Sequence, residues 1–348
     1  MRRVETLILV LALGFYGWFL NHFGLSHAIQ SVRLVGWGLL GTILLEAVAR
    51  LANTIGWRVT IVDCPRKLSF GALFVARMAG EAIDYVTPTA QLGGQFVKAL
   101  MVRRQLAIAV ALATVIVASL AEAVGQIGFL SSALLIALPS EARLHHDIFW
   151  PVAGGMAIAL GLAGGFFFVQ LKEPFSYVLR VAAKFDVPQL ADPEVQAAAC
   201  DADALLTDFY ANHRTRFALG CCCYLIAWSM GPIEILIYLM LLHQPFTWIT
   251  PLLVEALGQL VERATFLIPG KLMSQEGGKA LIMGLLGYPT EIGFALGLLR
   301  RLKELAWVLF GLVGLTAHRM ISERSTAMAG ASRQNLIKMR GAREGELS

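Results

Sequence analysis

The chain has 348 residues, 57% of them hydrophobic and 15% charged, and a mean hydropathy of +0.66. Soluble domains carry about 25% charged residues, so this composition excludes an ordinary soluble fold and points to a polytopic membrane protein. The net charge of +5 requires no nucleic-acid partner, because the basic residues cluster beside apolar runs, as the positive-inside rule expects.

The first apolar run, about Thr6 to Phe23, follows Arg2 and Arg3. It resembles the start of a secretory signal, but Ser26-His27-Ala28 is a poor cleavage site, so a retained first span is expected. A second span is predicted from about Leu34 to Gly56, closed by Trp57 and Arg58 as an interfacial aromatic and a cation, with its end in the cytoplasm. The stretch from Phe70 to Val86 carries Arg77, Glu81 and Asp84, which is too polar for a lipid-facing helix, and it stops at Thr87-Pro88. A short helix follows from Gln91 to Val102. Together they read as a hairpin, either re-entrant from the cytoplasm or a pair of short spans; loose backbone at that depth needs cover from protein or water. Ala107 to Leu138 is a long apolar helix interrupted by Glu122, and Phe149 to Leu171 is a further span after the loop with His145 and His146.

Residues 172–216 form the one sizeable polar segment and are placed in the cytoplasm. Phe175, Val178, Leu179, Ala182 and Phe185 recur at helical spacing, which suits a helix on the membrane surface. Asp192-Pro193 reads as the cap and first residue of a second helix. A span from Phe217 to Leu242 leads to a second hairpin, Trp248 to Ile268 and Leu272 to Leu286. The last span, Glu291 to His318, precedes a basic cytoplasmic tail, 321–348.

Glu81, Pro88 and Lys98-Ala99-Leu100 recur 181 positions later as Glu262, Pro269 and Lys279-Ala280-Leu281. Tyr85-Val86 aligns with Phe266-Leu267, and Gln95 with Glu276. Three complete spans separate the two hairpins, so the second enters from the opposite side. The expected fold is therefore all-α and polytopic, an inverted repeat with halves at about 34–138 and 217–318, two re-entrant or broken hairpins and about six full spans. Transporters built this way place their substrate site at the broken helices.

Within the repeat, Lys98 and Lys279 sit among apolar neighbours, either snorkelling to the interface or neutralising a phosphate or carboxylate. Gly93, Gly94, Gly277 and Gly278 allow a close bend and offer amides at a helix N-terminus, where an anion is favoured. Glu81 and Glu262 pair with Lys98 and Lys279, or with Arg77 and Arg263, or one of them takes up a proton during a transport cycle. Glu122 aligns with Lys303 in the helix bearing Arg300, Arg301 and Glu304, so the two long helices are expected to bring opposite charges to one polar cavity. The candidate substrate-binding residues are thus Arg77, Glu81, Asp84, Pro88, Gly93, Gly94, Gln95, Lys98, Glu122, Glu262, Arg263, Pro269, Glu276, Gly277, Gly278, Lys279 and Arg300.

Signals for catalysis are lacking: the sequence contains no H-E-x-x-H, no G-x-S-x-G and no phosphate loop. No metal or other cofactor is expected. His145-His146 lacks a ligand set. Asp201-Ala202-Asp203 has the spelling of a metal-nucleotide D-x-D, but alternate residues point to different sides of a helix, which suits a solvated acidic face. The five cysteines include Cys221-Cys222-Cys223, which cannot pair regularly with itself, and Cys64 and Cys200 on cytoplasmic segments; they read as small fillers.

Thr87-Pro88 through Gly94-Gln95 with Lys98-Ala99, Ile268-Pro269-Gly270 with Gln275-Glu276-Gly277-Gly278-Lys279-Ala280, and the following helix with Arg300 resemble the lysylphosphatidylglycerol synthase transmembrane region, or flippase-like domain, over nearly the whole chain. The resemblance implies a domain, 1–320, that moves a lipid across a bilayer without the synthase that makes it. Stand-alone relatives associated with hopanoid biosynthesis have a similar length. The function it implies is a lipid translocase of the bacterial inner membrane with both termini cytoplasmic, its lipid polar-headed or of isoprenoid or hopanoid type. The alternatives are a non-transporting scaffold or partner of a lipid-biosynthesis enzyme, in which the hairpin charges are satisfied internally, and a membrane enzyme acting on a lipid-linked substrate.

Overall fold

A computed structural model describes residues 30, 32–62, 68–86, 92–103, 105–137, 174–182, 193–264 and 274–345, with a few positions between 154 and 165. Among the described residues the fold is all helical. The main helices are α1 (Gly38–Thr60), α2 (Phe70–Val86), α3 (Leu92–Val102), α4 (Ile108–Ala137), α5 (Pro174–Ala182), α6 (Pro193–Asn212), α7 (Arg214–Leu241), α8 (Thr250–Ala264), α9 (Ser274–Leu285) and α10 (Thr290–Gly345). Adding 181 to the ends of α1, α2 and α3 gives 219–241, 251–267 and 273–283, within five residues of the ends of α7, α8 and α9. The expected first span and most of the fourth lie outside the described residues.

Two expectations about helix ends change. The second span begins at Gly38 and not Leu34 because Gly36 adopts φ +48°, a left-handed turn that separates α1 from the short helical stretch before it. The last helix does not stop at His318 but continues unbroken to Gly345. No proline or glycine pair interrupts residues 319–345, so the sequence lacks the usual stop signals there.

α1, α4 and α7 are long and apolar enough to cross a membrane. α10 is long enough but carries Arg300, Arg301, Lys303 and Glu304 in its first half. It keeps these on its inner face, while Leu305, Leu309, Phe310 and Val313 are exposed on the outside, the arrangement that lets a charged helix lie in a bilayer. By the 1.5 Å rise per residue, α3 and α9, with 11 and 12 residues, are about 16–18 Å long. That is well short of the roughly 30 Å hydrocarbon core.

Each hairpin has its own apolar core. Trp57, Leu73, Ala79, Ala99, Val115 and Tyr224 belong to the first; Ile235, Tyr238, Val254, Ile282, Leu296 and Leu299 belong to the second. The halves interlock: α1 packs along α7, α2 along α10, and α8 against α4. Phe74 on α2 meets Trp307 and Phe310 of α10 edge-on, at centroid distances of 6.4 and 6.0 Å. Gly293 and Gly297 let α10 lie directly on the α9 backbone, where a Cβ would collide. Trp57 is a buried core residue and not an interfacial anchor, because α1 runs past it to Thr60 and turns its indole toward α4 and α7.

Outside the bundle, the expected helices at 174 and 193 form. Asp203 departs from the solvated acidic face assigned to it: it is buried, and its carboxylate accepts the amides of Phe175 (3.0 Å) and Ser176 (2.9 Å). It thus caps α5 from the neighbouring helix, which sequence spacing did not reveal because the partners lie 27 and 28 residues away. Asp201 stays exposed. Hydrogen bonds to a charged acceptor are worth about 1.5–3 kcal/mol. Asp203→Ala should therefore raise amide hydrogen exchange across 174–182 by roughly tenfold or more, with no change across α7.

Candidate functional site

α2 and α3 approach so closely that Gly80 and Gly94 face each other's backbone without room for a side chain. Asp84 sits at this crossing and accepts the Gly94 amide at 2.7 Å. The amide expected to await an external anion is thus satisfied by the protein's own carboxylate. The third residue of the α3 N-terminus lies just one turn from Lys98, so the bond also fixes that lysine's height in the hairpin.

Above the crossing is a small polar cavity lined by Trp57, Arg77, Gln95, Lys98, Val115, Ala118, Ser119, Glu122 and Tyr224. Arg77, Gln95, Lys98 and Glu122 were all legible as candidates; Trp57, Ser119 and Tyr224 were not. Arg77 lies 2.8 Å from Glu81 and 3.4 Å from Glu122, and its guanidinium stands over the Tyr224 ring. Glu81 is held from its other side by Arg50 of α1, which in turn pairs with Glu46. Arg50 also lies over Trp307, 4.9 Å from the ring centroid.

Lys98 is treated differently. It is 5% exposed, and its Nζ donates to Gln95 Oε1 at 3.3 Å. No carboxylate lies within 4 Å of it among the described residues; Glu122, Glu81 and Asp84 act on it only through space. A buried ammonium without a counter-ion is costly, and this one borders a cavity.

The second block builds its own network of ion pairs, which touches the first half at Tyr85 and Gln126. Lys279 lies 3.9 Å from Glu262, so of the pairings left open, Glu262 takes its lysine whereas Glu81 takes arginines. Arg300 donates Nη2 to Glu255 Oε1 at 3.0 Å and lies 3.8 Å from Glu304. Arg301 pairs in a fork with Glu276, which is fully buried, and reaches Tyr85 of α2 at 3.3 Å. Gln259 donates to Glu255 at 2.7 Å and accepts from Gln126 of α4 at 3.1 Å.

The expectation that Glu122 and Lys303 share a cavity does not hold. Glu122 faces Arg77, while Lys303 is buried between Glu46 (2.9 Å) and Glu234 (2.6 Å). They occupy equivalent positions, but each pairs with opposite charges on the helices that pack against its own side. Gly278 serves helix packing, since a Cβ there would press on Val261 Cγ1, and Gly277 has open space beside it. Gly93 is placed on α3 beside the crossing. Pro88 and Pro269 lie outside the described residues, and Arg263 is described only as part of α8.

Glu46, Arg50, Glu234 and Glu255 were missed by sequence reading. The available signal was their placement in otherwise apolar helices, where an ionisable residue is costly enough to need a partner. Among the described residues no cluster of metal-ligating side chains occurs, and the four described cysteines are unbonded.

No curated protein and no solved structure matches the chain. The family model for the lysylphosphatidylglycerol synthase transmembrane region matches residues 6–313. With three helices long and apolar enough to span a membrane and this match over most of its length, the chain is a membrane protein belonging to that family.

Proposed function

We propose that the protein is a lipid translocase of the bacterial inner membrane, in which the cavity between the first hairpin and α4 receives the anionic part of a lipid head group. The observation that carries this reading is Lys98, a buried ammonium facing a cavity and lacking a carboxylate within 4 Å among the described residues. A phosphate or carboxylate would supply its missing counter-charge, with Arg77 and the Gln95 amide as further donors. The lipid is polar-headed or of isoprenoid or hopanoid type, and no covalent step is involved.

The space between these side chains holds about one water, so a head group enters only when the hairpin shifts. We further propose that the halves related by the offset of 181 have opposite orientations, with α2–α3 re-entering from the cytoplasm, α8–α9 from outside, and both termini cytoplasmic. The short lengths of α3 and α9 support this arrangement. A scaffold role predicts that all hairpin charges are satisfied internally; in the second block Glu276 has Arg301 and Lys279 has Glu262 within 4 Å, whereas Lys98 has no carboxylate at that distance among the described residues.

Two experiments test this reading. In proteoliposomes the wild-type chain should equilibrate a lipid with a fluorescent head group between leaflets well above the protein-free rate; no acceleration would remove the translocase reading. In intact cells and a background lacking the native cysteines, Thr247→Cys should react with an impermeant thiol reagent from outside, and Asp201→Cys only after the membrane is opened. Both sites are exposed, and the opposite result would invert the orientation.

A further inference from the structure

Trp57 lies in the last turn of α1, is 1% exposed and borders the cavity that Arg77, Gln95, Lys98 and Glu122 also line. Its indole Nε1 is buried and finds no acceptor among the described residues. A buried tryptophan N–H usually has a partner, and leaving such a donor unsatisfied is costly. The turn that carries it is clamped between two helices. Thr60 Oγ1 donates to the Trp57 carbonyl at 2.7 Å and also reaches the Thr114 carbonyl of α4 at 3.2 Å. On the other side, Gly56 lies so near the Tyr224 ring of α7 that a Cβ there would come within 2.9 Å of Cε2. These contacts hold the indole at the cavity wall.

The other half of the repeat treats the same positions differently. The offset of 181 carries Trp57 onto Tyr238, which is likewise buried but has its hydroxyl joined to Thr42 at 2.9 Å. It carries Lys98 onto Lys279, which has Glu262 at 3.9 Å. It carries Ser119 of the cavity wall onto Arg300, a far longer side chain that is paired with Glu255. The second half therefore answers its aromatic and its lysine from within the protein. The first half leaves the corresponding donors beside a cavity, and a serine keeps open the room that an arginine would take.

We propose that Trp57 is a head-group-binding residue whose indole N–H donates to an oxygen of the anion that Lys98 neutralises, an inference that rests on the anion-binding role given to the cavity above. The two donors differ in kind. Lys98 brings charge on a flexible stem, whereas the indole N–H brings no charge and a single fixed direction. Gln95 adds to them: an ammonium can only donate, so the 3.3 Å bond from Lys98 turns the Gln95 oxygen toward the lysine and leaves the amide nitrogen as a further donor. A phosphate or carboxylate has enough acceptor oxygens to meet all of these at once. Because Trp57 belongs to α1 and Lys98 to α3, the bound anion ties the hairpin to a helix outside it, and the direction of the N–H sets how the head group lies.

The test uses the full-length chain purified in detergent, a short-chain phosphatidylglycerol as probe, and a second preparation with benzothienylalanine in place of Trp57. That side chain keeps the shape of the indole and puts sulfur where the N–H stands, so the packing is retained. Its affinity for the probe, measured by calorimetry, should be about tenfold weaker than that of the wild type, with no loss of thermal stability. In wild-type chain labelled with nitrogen-15 at the indoles, the magnetic-resonance signal missing from the second preparation is that of Trp57, and it should move downfield as the probe saturates. Trp307 serves as the reference, since its N–H also lacks an acceptor among the described residues but it is not part of the cavity wall. Equal affinities, or a Trp57 signal that does not move, would overturn the proposal and leave that N–H to water. Equal shifts at Trp57 and Trp307 would mark a general change in the bundle and overturn it as well. Lys98→Met separates these outcomes from the cavity reading. Binding that is lost in Lys98→Met yet kept with benzothienylalanine removes only the role of Trp57, whereas a wild-type chain that binds no probe removes the cavity reading and this proposal with it.

Discussion

Lys98→Met should slow lipid translocation in proteoliposomes by about ten- to a hundredfold, while leaving the protein as stable as the wild type or more so. The two halves of this expectation have one cause. A hydrogen bond from a charged donor to an anion is worth about 1.5–3 kcal/mol, and a factor of ten in rate corresponds to about 1.4 kcal/mol. In the absence of lipid the same ammonium is buried with only the Gln95 oxygen at 3.3 Å, and replacing a poorly compensated buried charge with an apolar side chain of similar shape is often neutral or stabilising. A lysine that merely snorkels gives a different pair of outcomes, unchanged transport and little change in stability. Thermal unfolding in detergent and the fluorescent-lipid assay on the same preparations separate the two. Asp201→Ala, at an exposed position on α6, should match the wild type in both.

The repeat was the most informative part of the sequence because it fixed spacing and chemistry together. Phe70 to Val86 was read as a helix from its charges and its terminal proline, and α2 has those bounds. Arg77, Gln95, Lys98 and Glu122 were each candidates from sequence, but their meeting at one cavity was not, since Glu122 was expected to share a cavity with Lys303. What sequence could not supply was the choice of partner. Glu81 had Lys98 within the same hairpin, yet it takes Arg77 one turn away and Arg50 on a separate helix. Lys303 finds its carboxylates 69 and 257 residues away. Such choices depend on how helices from the two halves cross, and the apolar pattern that predicts a span carries no record of which face meets which neighbour. The same gap explains Trp57, whose type and position suited a membrane interface until α7 covered it.

The divergence of the two blocks leads to the second large effect. Arg301→Ala should destabilise the fold by about 3–5 kcal/mol, because it strands the Glu276 carboxylate, which is 0% exposed and has the Arg301 guanidinium as its forked partner. The position equivalent to Glu276 in the first block is Gln95, and that equivalent to Arg301 is Leu120, so the first hairpin has neither charge. One block is therefore tied to its long helix by a buried ion pair, while the other keeps a neutral amide beside an unneutralised lysine. If the pair serves to hold α9 on α10, Glu276→Gln combined with Arg301→Leu, which copies the first block, should recover most of the lost stability, since neither residue then leaves a buried charge behind. Denaturant or thermal unfolding of the single and double variants measures this directly. A single variant as stable as the wild type would mean that Glu276 does not depend on Arg301, and the pair would then not be what holds α9 on α10.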